Sequence, residues 1–437
     1  MERNIYRRLL SWKRDKKRKP LILKGARQTG KTYLLKKFGT QEYKDCHYFN
    51  FEETPEIKDL FINNLKPEHL LPNLELYSKK KIHAKTDLII FDEIQSCDGA
   101  LTSLKYFNEN AHNYHIAAAG SLLGLKLSKG SSFPVGKVNL FNIYPLTFSE
   151  FLSAIGEQQY LIFIQELSSK TNSSEVFHKH LIEYLRCYYF TGGMPEVVKE
   201  YRDSKDLAVC RNIQKEILTT YELDFAKHAK TIEIPKISLL WESVPGHLSR
   251  ENKKFVFSSV KKSARARDYE SSLQWLMDAG LIYKTYATER ARGPLQANLK
   301  KDIFKIYHLD VGLLGAMVNM SSDILLQKNM LFNTYHGAFV ENYVATHLKA
   351  IREETLIYWK SEGKKAEVDF LIENNGHIYP LEVKAGINTK SKSLKSFSTQ
   401  FHPPKLLRIS LLPLHVGNNI LNIPLYALPE LERLMHL

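Results

Sequence analysis

The sequence predicts an α/β chain in three parts: a parallel sheet interleaved with helices over residues 1–155, a helical and winged-helix-like middle over 156–320, and a second α/β domain over 321–437. Three observations predict it. In the first third, the apolar runs LILKG, YFNFEE, TDLIIFDE and HIAAAGS alternate with helix-compatible stretches, which is the rhythm of parallel strands joined by helices. From about Glu150 the pattern changes to long amphipathic helices, with YLRCYYFTGGMPEVVKEY broken at Gly192-Gly193 and Pro195. From about Ser321 it returns to a helix followed by AEVDFLIE and HIYPLEVK, two period-2 strands flanking an Asn-Gly turn.

Composition narrows the function classes. The 437 residues are 43% hydrophobic and 25% charged, which excludes a mainly disordered or fibrous chain. Lys and Arg number 62 against 47 Asp and Glu, and the net charge of +15 favours polyanions such as nucleotides, nucleic acid or acidic membrane. Cys46, Cys97, Cys187 and Cys210 are never closer than 23 positions, so no zinc ribbon, CxxC redox pair or dense disulfide framework is encoded, and a reducing cytoplasm fits. The opening MERNIYRRLLSWKRDKKRKP is charged throughout, unlike a secretory signal. The longest uncharged stretch, Ile409 to Pro429, is interrupted by Pro413 and Pro424, so no membrane segment is expected.

The first strand, LILK, follows the basic run Lys13–Lys19 and Pro20 and leads into Gly25-Ala26-Arg27-Gln28-Thr29-Gly30-Lys31-Thr32. This is a full G-x-x-x-x-G-K-[ST] match between a strand and a helical stretch, TYLLKKF. Phosphate oxygens need backbone N–H donors at close range, so the turn demands glycine and opens onto a helix N-terminus. Lys31 is then the ligand of the β and γ phosphates of ATP, and Thr32 a ligand of Mg²⁺. Leu88 to Phe91 forms a buried strand ending in Asp92-Glu93. Asp92 is placed to hold the Mg²⁺ through water and Glu93 to orient or deprotonate the attacking water, a doublet that favours hydrolysis over kinase chemistry. Ser121, at the tip of HIAAAGS, takes the position of the polar residue that senses the γ-phosphate in AAA-type ATPases. Arg27 and Lys137 are nearby basic groups to which no arginine-finger role is given.

In the middle region SSLQWLMDAGLIYKTY reads as a helix capped at Gly280 and followed by a strand, then a basic loop and a second strand, IFKIYHLD: the order of a winged helix. Lys261, Lys262, Arg265 and Arg267 precede that helix, and Arg290 and Arg292 lie in the wing, which suits either duplex phosphates or a solvated basic face. Trp275 is expected in the core. His308 and His336 have no partners at metal-ligand spacing.

The C-terminal hairpin carries Asp369, Glu382 and Lys384. A type I′ turn at Asn375-Gly376 makes the numbers of all cross-strand partners sum to 751, setting Asp369 opposite Glu382 and Glu367 opposite Lys384 on one face. A carboxylate pair there calls for a cation, either Lys384 or a metal ion, with Glu341 in HGAFVENYV as a third acid. The metal alternative is a site of the restriction-nuclease type; the bland alternative is a hairpin with a solvated polar face.

With these residues identified, the chain resembles a prokaryotic family of AAA-type P-loop ATPases whose C-terminal half is a domain of unknown function related to PD-(D/E)xK nucleases. The resemblance rests on KPLILKGARQTGKT, IIFDEIQ, GSLLG, YPLTFSEF, TGGMPEVV, GAFVEN, AEVDFLI and LEVKAG in that order. It implies ATP binding, a winged-helix-like middle and a nuclease-like tail whose acidic and lysine positions fall on Asp369, Glu382 and Lys384. Where many relatives read Gly-Arg, this chain has Gly136-Lys137. The expected function is Mg-dependent ATP hydrolysis coupled to a C-terminal half acting on DNA or another nucleic acid. The alternative is a slow nucleotide-dependent switch that binds a protein partner and has a catalytically silent tail.

Overall fold

The computed structural model describes residues 1–121, 123–124, 133–168, 175–250, 253–322, 336–363, 366–386 and 391–437; Leu122 and the His336 side chain lie outside that description. The chain forms two compact units, one of Glu2–Tyr144 with Asp278–Gly280, the other of Pro145–Met277 with Leu281–Leu437.

The N-terminal unit is a five-stranded sheet, β1 (Leu21–Lys24), β2 (Asp45–Asn50), β3 (Asp87–Asp92), β4 (His115–Gly120) and β5 (Asn139–Asn142), in the order β2-β3-β4-β1-β5. All its pairings are parallel. Helices α1 (Tyr6–Arg14), α2 (Lys31–Glu42), α3 (Pro67–Ser78) and α4 (Asp98–Asn110) cover it. Strand alternation divides the core into two layers. Leu21, Leu23, Leu88 and Ile90 point to Leu9, Trp12, Leu34, Leu35 and Phe38, whereas Ile22, Ile89, Phe91 and Ile116 point to Leu70, Leu74, Leu101 and Leu104. The sheet with helices on both faces is a P-loop NTPase fold. The short, half-polar strand β5 was not among the sequence expectations.

The second unit is helix-rich from Phe148 to Leu248 and contains two further sheets. One is β7-β6-β8-β9, formed by β6 (Ile282–Thr288), β7 (Lys300–His308), β8 (Leu356–Lys360) and β9 (Glu367–Val368). The other is β10-β11-β12-β14-β13, formed by β10 (Phe370–Asn374), β11 (His377–Val383), β12 (Leu406–Ser410), β13 (His415–Val416) and β14 (Ile420–Pro424). The expected wing, β6 with β7, is an antiparallel hairpin, but β6 also pairs in parallel with β8, so it is the middle of a sheet rather than a free wing. Trp275 is buried and packs edge-on against Phe225.

The β10–β11 hairpin has the expected register, Asn374 opposite His377 and Phe370 opposite Leu381, with Asn375 and Gly376 at φ 50° and 77°. The ladder stops there, which corrects the expectation for Glu367 and Asp369. The Asp369 carboxylate accepts the Val383 N–H at 2.8 Å, occupying a backbone donor, and the chain bends so that β9 joins β8 instead. Glu367 is therefore opposite Lys360, not Lys384, while Val368 is buried with Ile357, Trp359 and Phe397.

Candidate functional site

Parallel strands with β4 between β1 and β3 bring three chain segments to one sheet edge, the carboxyl ends of the strands, where α/β folds bind ligands. The loop Gly25–Gly30 leaves β1 there, Asp92-Glu93 ends β3, and Ser121 follows β4. A Cβ at Gly25 would lie 2.3 Å from the Ile143 carbonyl oxygen, and Gly30 has φ 90° immediately before α2, so both glycines are required by space or by backbone. Thr29 is fully buried and its hydroxyl donates to the Ala26 carbonyl at 2.8 Å, while Arg3 donates to the Thr29 carbonyl at 2.9 Å.

The Lys31 ammonium donates to the carbonyls of Ala26 and Gly25 at 2.7 and 3.0 Å. Burial pushes its pKa down, the carboxylates of Glu93 and Asp92 pull the other way, and the outcome is about 8. Thr32 Oγ1 donates to Asp92 Oδ2 at 2.8 Å. Two hard oxygen donors within hydrogen-bond reach of each other, one a carboxylate, suit Mg²⁺, so Thr32 and Asp92 fit the ion the motif implies.

Glu93, at φ 50°, turns its carboxylate to Gln95 Nε2 at 2.5 Å and to the Ser121 hydroxyl at 3.4 Å. Arg27 Nε donates to Ser121 Oγ at 3.3 Å, and Arg27 also lies 3.9 Å from Glu52. The residues Gly25, Ala26, Arg27, Gln28, Thr29, Gly30, Lys31, Thr32, Asp92, Glu93 and Ser121 thus share one edge, with hydrogen bonds linking the acids to the loop. Lys137 pairs instead with Glu109 at 3.0 Å. The sequence reading missed Tyr48, whose hydroxyl donates to Asp92 Oδ2 at 2.7 Å, and Gln95. Gln95 had a signal in its position two residues after Glu93; Tyr48 had none.

The second set of candidates lies in the other unit. Glu341, on the helix His336–Arg352, contacts Lys253 through Oε2 and Lys305 at 3.5 Å through Oε1. Lys305 is 2.6 Å from Glu367, and Glu341 and Asp369 are hydrogen-bonded to each other. Glu382 pairs with Lys384 at 2.6 Å. Burial raises the Glu341 pKa but Lys253 and Lys305 bring it down to about 2, whereas burial and then Glu341 push Asp369 well up. Burial alone would lower Lys305; the surrounding acids, Glu341 first, hold it well above the ordinary lysine range. Among the described residues no group of three or more His, Cys, Asp or Glu side chains is arranged to hold a metal ion.

Comparison with known proteins agrees with the first unit. Residues 17–152 match the family model described as "AAA domain". Residues 182–324 and 336–426 match two models described as "Domain of unknown function", DUF8612 and DUF4143. No curated protein matches. Among solved structures, the Walker-type ATPase PABY2304 of Pyrococcus abyssi is 13% identical, with 71% of this chain and 94% of that chain covered and a TM-score of 0.44. The Aeropyrum pernix ORC2 protein (ADPNP-ADP complexes) is 15% identical, covering 75% and 92% at a TM-score of 0.35. At such scores neither bears on the assignment. The sheet, the loop and the matched segment define a P-loop AAA-type ATPase domain. Among the described residues, no helix is long and apolar enough to cross a membrane.

Proposed function

We propose that the chain binds Mg²⁺·ATP at the edge of the N-terminal sheet and hydrolyses it. The observation that carries this is the meeting of Thr32, Asp92 and Glu93 in one hydrogen-bonded group beside a loop whose own carbonyls hold Lys31 and whose glycines are required by space at Gly25 and by backbone at Gly30. The loop N–H groups and Lys31 bind the phosphates, Thr32 and Asp92 hold Mg²⁺, and Glu93 takes a proton from the attacking water. The ion would supply charge neutralisation on the phosphate oxygens. Glu93 reaches that role by leaving Gln95 and Ser121, and Ser121 is then free to contact the γ-phosphate. Lys31→Ala is expected to abolish turnover, and Glu93→Gln to retain nucleotide binding while lowering kcat roughly 100-fold or more. Unchanged hydrolysis in both variants would refute the assignment.

The second unit is read as the part through which nucleotide state reaches a nucleic acid. Lys261, Lys262, Arg265, Arg267, Arg290 and Arg292 are all exposed, the first three before the helix Ala266–Asp278, Arg267 in its first turn, and the last two in the connection between β6 and β7. DNA binding that weakens steeply with salt and shifts when a non-hydrolysable ATP analogue is added supports this reading. Its absence favours the alternative, a slow switch that engages a protein partner. The lysine contacts of Glu341, Glu367 and Glu382 favour a silent tail within either reading.

A further inference from the structure

The carboxylates of the second unit occupy a place where the resemblance implies a metal-dependent nuclease site, and they do not fit one. Lys305 is fully buried on β7, with its Nζ 2.6 Å from Glu367 Oε1 and 3.5 Å from Glu341 Oε1. Glu341 Oε2 holds the Lys253 ammonium. Asp369 Oδ2 accepts the Val383 N–H, and the Asp369 carboxyl also bonds to Glu341. Glu382 Oε1 is taken by Lys384. Among the described residues, one carboxylate oxygen of the region, Oε2 of Glu382, is buried without a hydrogen-bond partner, too little for an ion that demands about six oxygens at roughly 2.1 Å.

We propose that this cluster is a cation site whose cation belongs to the chain: the Lys305 ammonium, seconded by Lys253, occupies the position among Glu341, Glu367 and Asp369 that a divalent ion would take, making the cluster an internal clamp. A lysine ammonium carries three N–H donors, enough to bridge carboxylates that would otherwise repel. Here the carboxylates come from the helix His336–Arg352, from β9 and from the β9–β10 bend, while the ammonium groups come from residue 253 and from β7. The clamp therefore joins four segments far apart in sequence. A divalent ion could enter only by displacing a buried lysine, leaving a buried charge unpaired. Removing the Lys305 side chain should do the reverse and leave three hard carboxylates free to close around a divalent ion. The clamp is independent of the nucleotide site, and its failure would leave the ATPase reading standing.

Mn²⁺ titration of the nucleotide-free full chain, followed by electron paramagnetic resonance, tests this. Lys305→Ala is expected to gain an Mn²⁺ site at least tenfold tighter than any in the wild type, and adding Asp369→Asn should abolish it. The wild type is expected to titrate identically with and without Asp369→Asn; any Mn²⁺ binding that depends on Asp92 instead belongs to the nucleotide site and agrees with the proposal. Wild-type Mn²⁺ binding that Asp369→Asn removes would overturn it, as would a folded Lys305→Ala protein that gains no site. If Lys305→Ala does not fold, the wild-type and Asp369→Asn titrations decide between the two outcomes.

Discussion

Tyr48 and Thr32 donate to the same oxygen of Asp92, at 2.7 and 2.8 Å, from strands and helices that meet only through the sheet order. Tyr48 is itself held by Asn50 Nδ2 at 3.1 Å and by the Lys36 ammonium 3.6 Å from its ring centre. If Thr32 and Asp92 hold Mg²⁺ as proposed, Tyr48 would remain to fix the carboxylate. Tyr48→Phe is therefore expected to raise the Mg²⁺ concentration for half-maximal turnover about tenfold, from the loss of one hydrogen bond to a charged group worth roughly 1.5 kcal/mol or more. Nucleotide binding in EDTA should not change. An unaltered Mg²⁺ dependence would show that the phenol only packs.

Lys31 gives a pH dependence. Its pKa is about 8 in the free protein, and phosphate contact favours the charged form, so binding raises it toward the ordinary lysine value. Affinity is then full below pH 8 and falls as pH rises through it, by up to about tenfold per unit. Calorimetry at pH 8.5 in buffers of different ionisation enthalpy should register proton uptake on binding. Equal heats in all buffers would contradict this.

At Gly25 the obstacle is backbone, the Ile143 carbonyl, which cannot rotate away as a side chain would. Gly25→Ala should cost about 1–3 kcal/mol of stability in the N-terminal unit and weaken ATP binding at least tenfold, by the usual cost of overpacking. Urea unfolding and nucleotide titration of the variant measure the two effects separately; wild-type values in both would mean the loop relaxes freely.

Glu341 and Asp369 should respond in opposite ways to neutralisation. Glu341 is held down to about 2, so its contribution is present above the ordinary carboxylate range and is lost as pH falls toward 2. Asp369 is pushed well up, so its protonated form is the one the fold favours, and that preference is lost as pH rises through its folded pKa. Glu341→Gln takes a carboxylate from both Lys253 and Lys305 and is expected to cost about 3–5 kcal/mol. Asp369→Asn, close in shape to the protonated acid, should cost less than about 1.5 kcal/mol. Equal losses in denaturant unfolding would contradict the asymmetry.

Much of this was legible in the sequence where one short segment dictates its own geometry. The phosphate loop needs glycine at 25 and 30 for reasons of space and backbone, and Asn375-Gly376 sets the hairpin register through its positive φ values. What could not be read depends on which strands become neighbours. Tyr48 reaches Asp92 because β2 pairs with β3, and Lys305 meets Glu341 across 36 positions of sequence that no local period connects. The bend at Asp369 was hidden because a side chain accepting a backbone N–H replaces a ladder bond without altering the hydrophobic alternation on either side.

The nucleotide site is tested most directly by calorimetric titration of the well-folded full chain with Mg²⁺ and a non-hydrolysable ATP analogue, beside Lys31→Ala. Saturable heat in the wild type, lost in the variant, is the expected result. No heat in the wild type, or equal heat in both, would contradict a triphosphate held by residues 25–32.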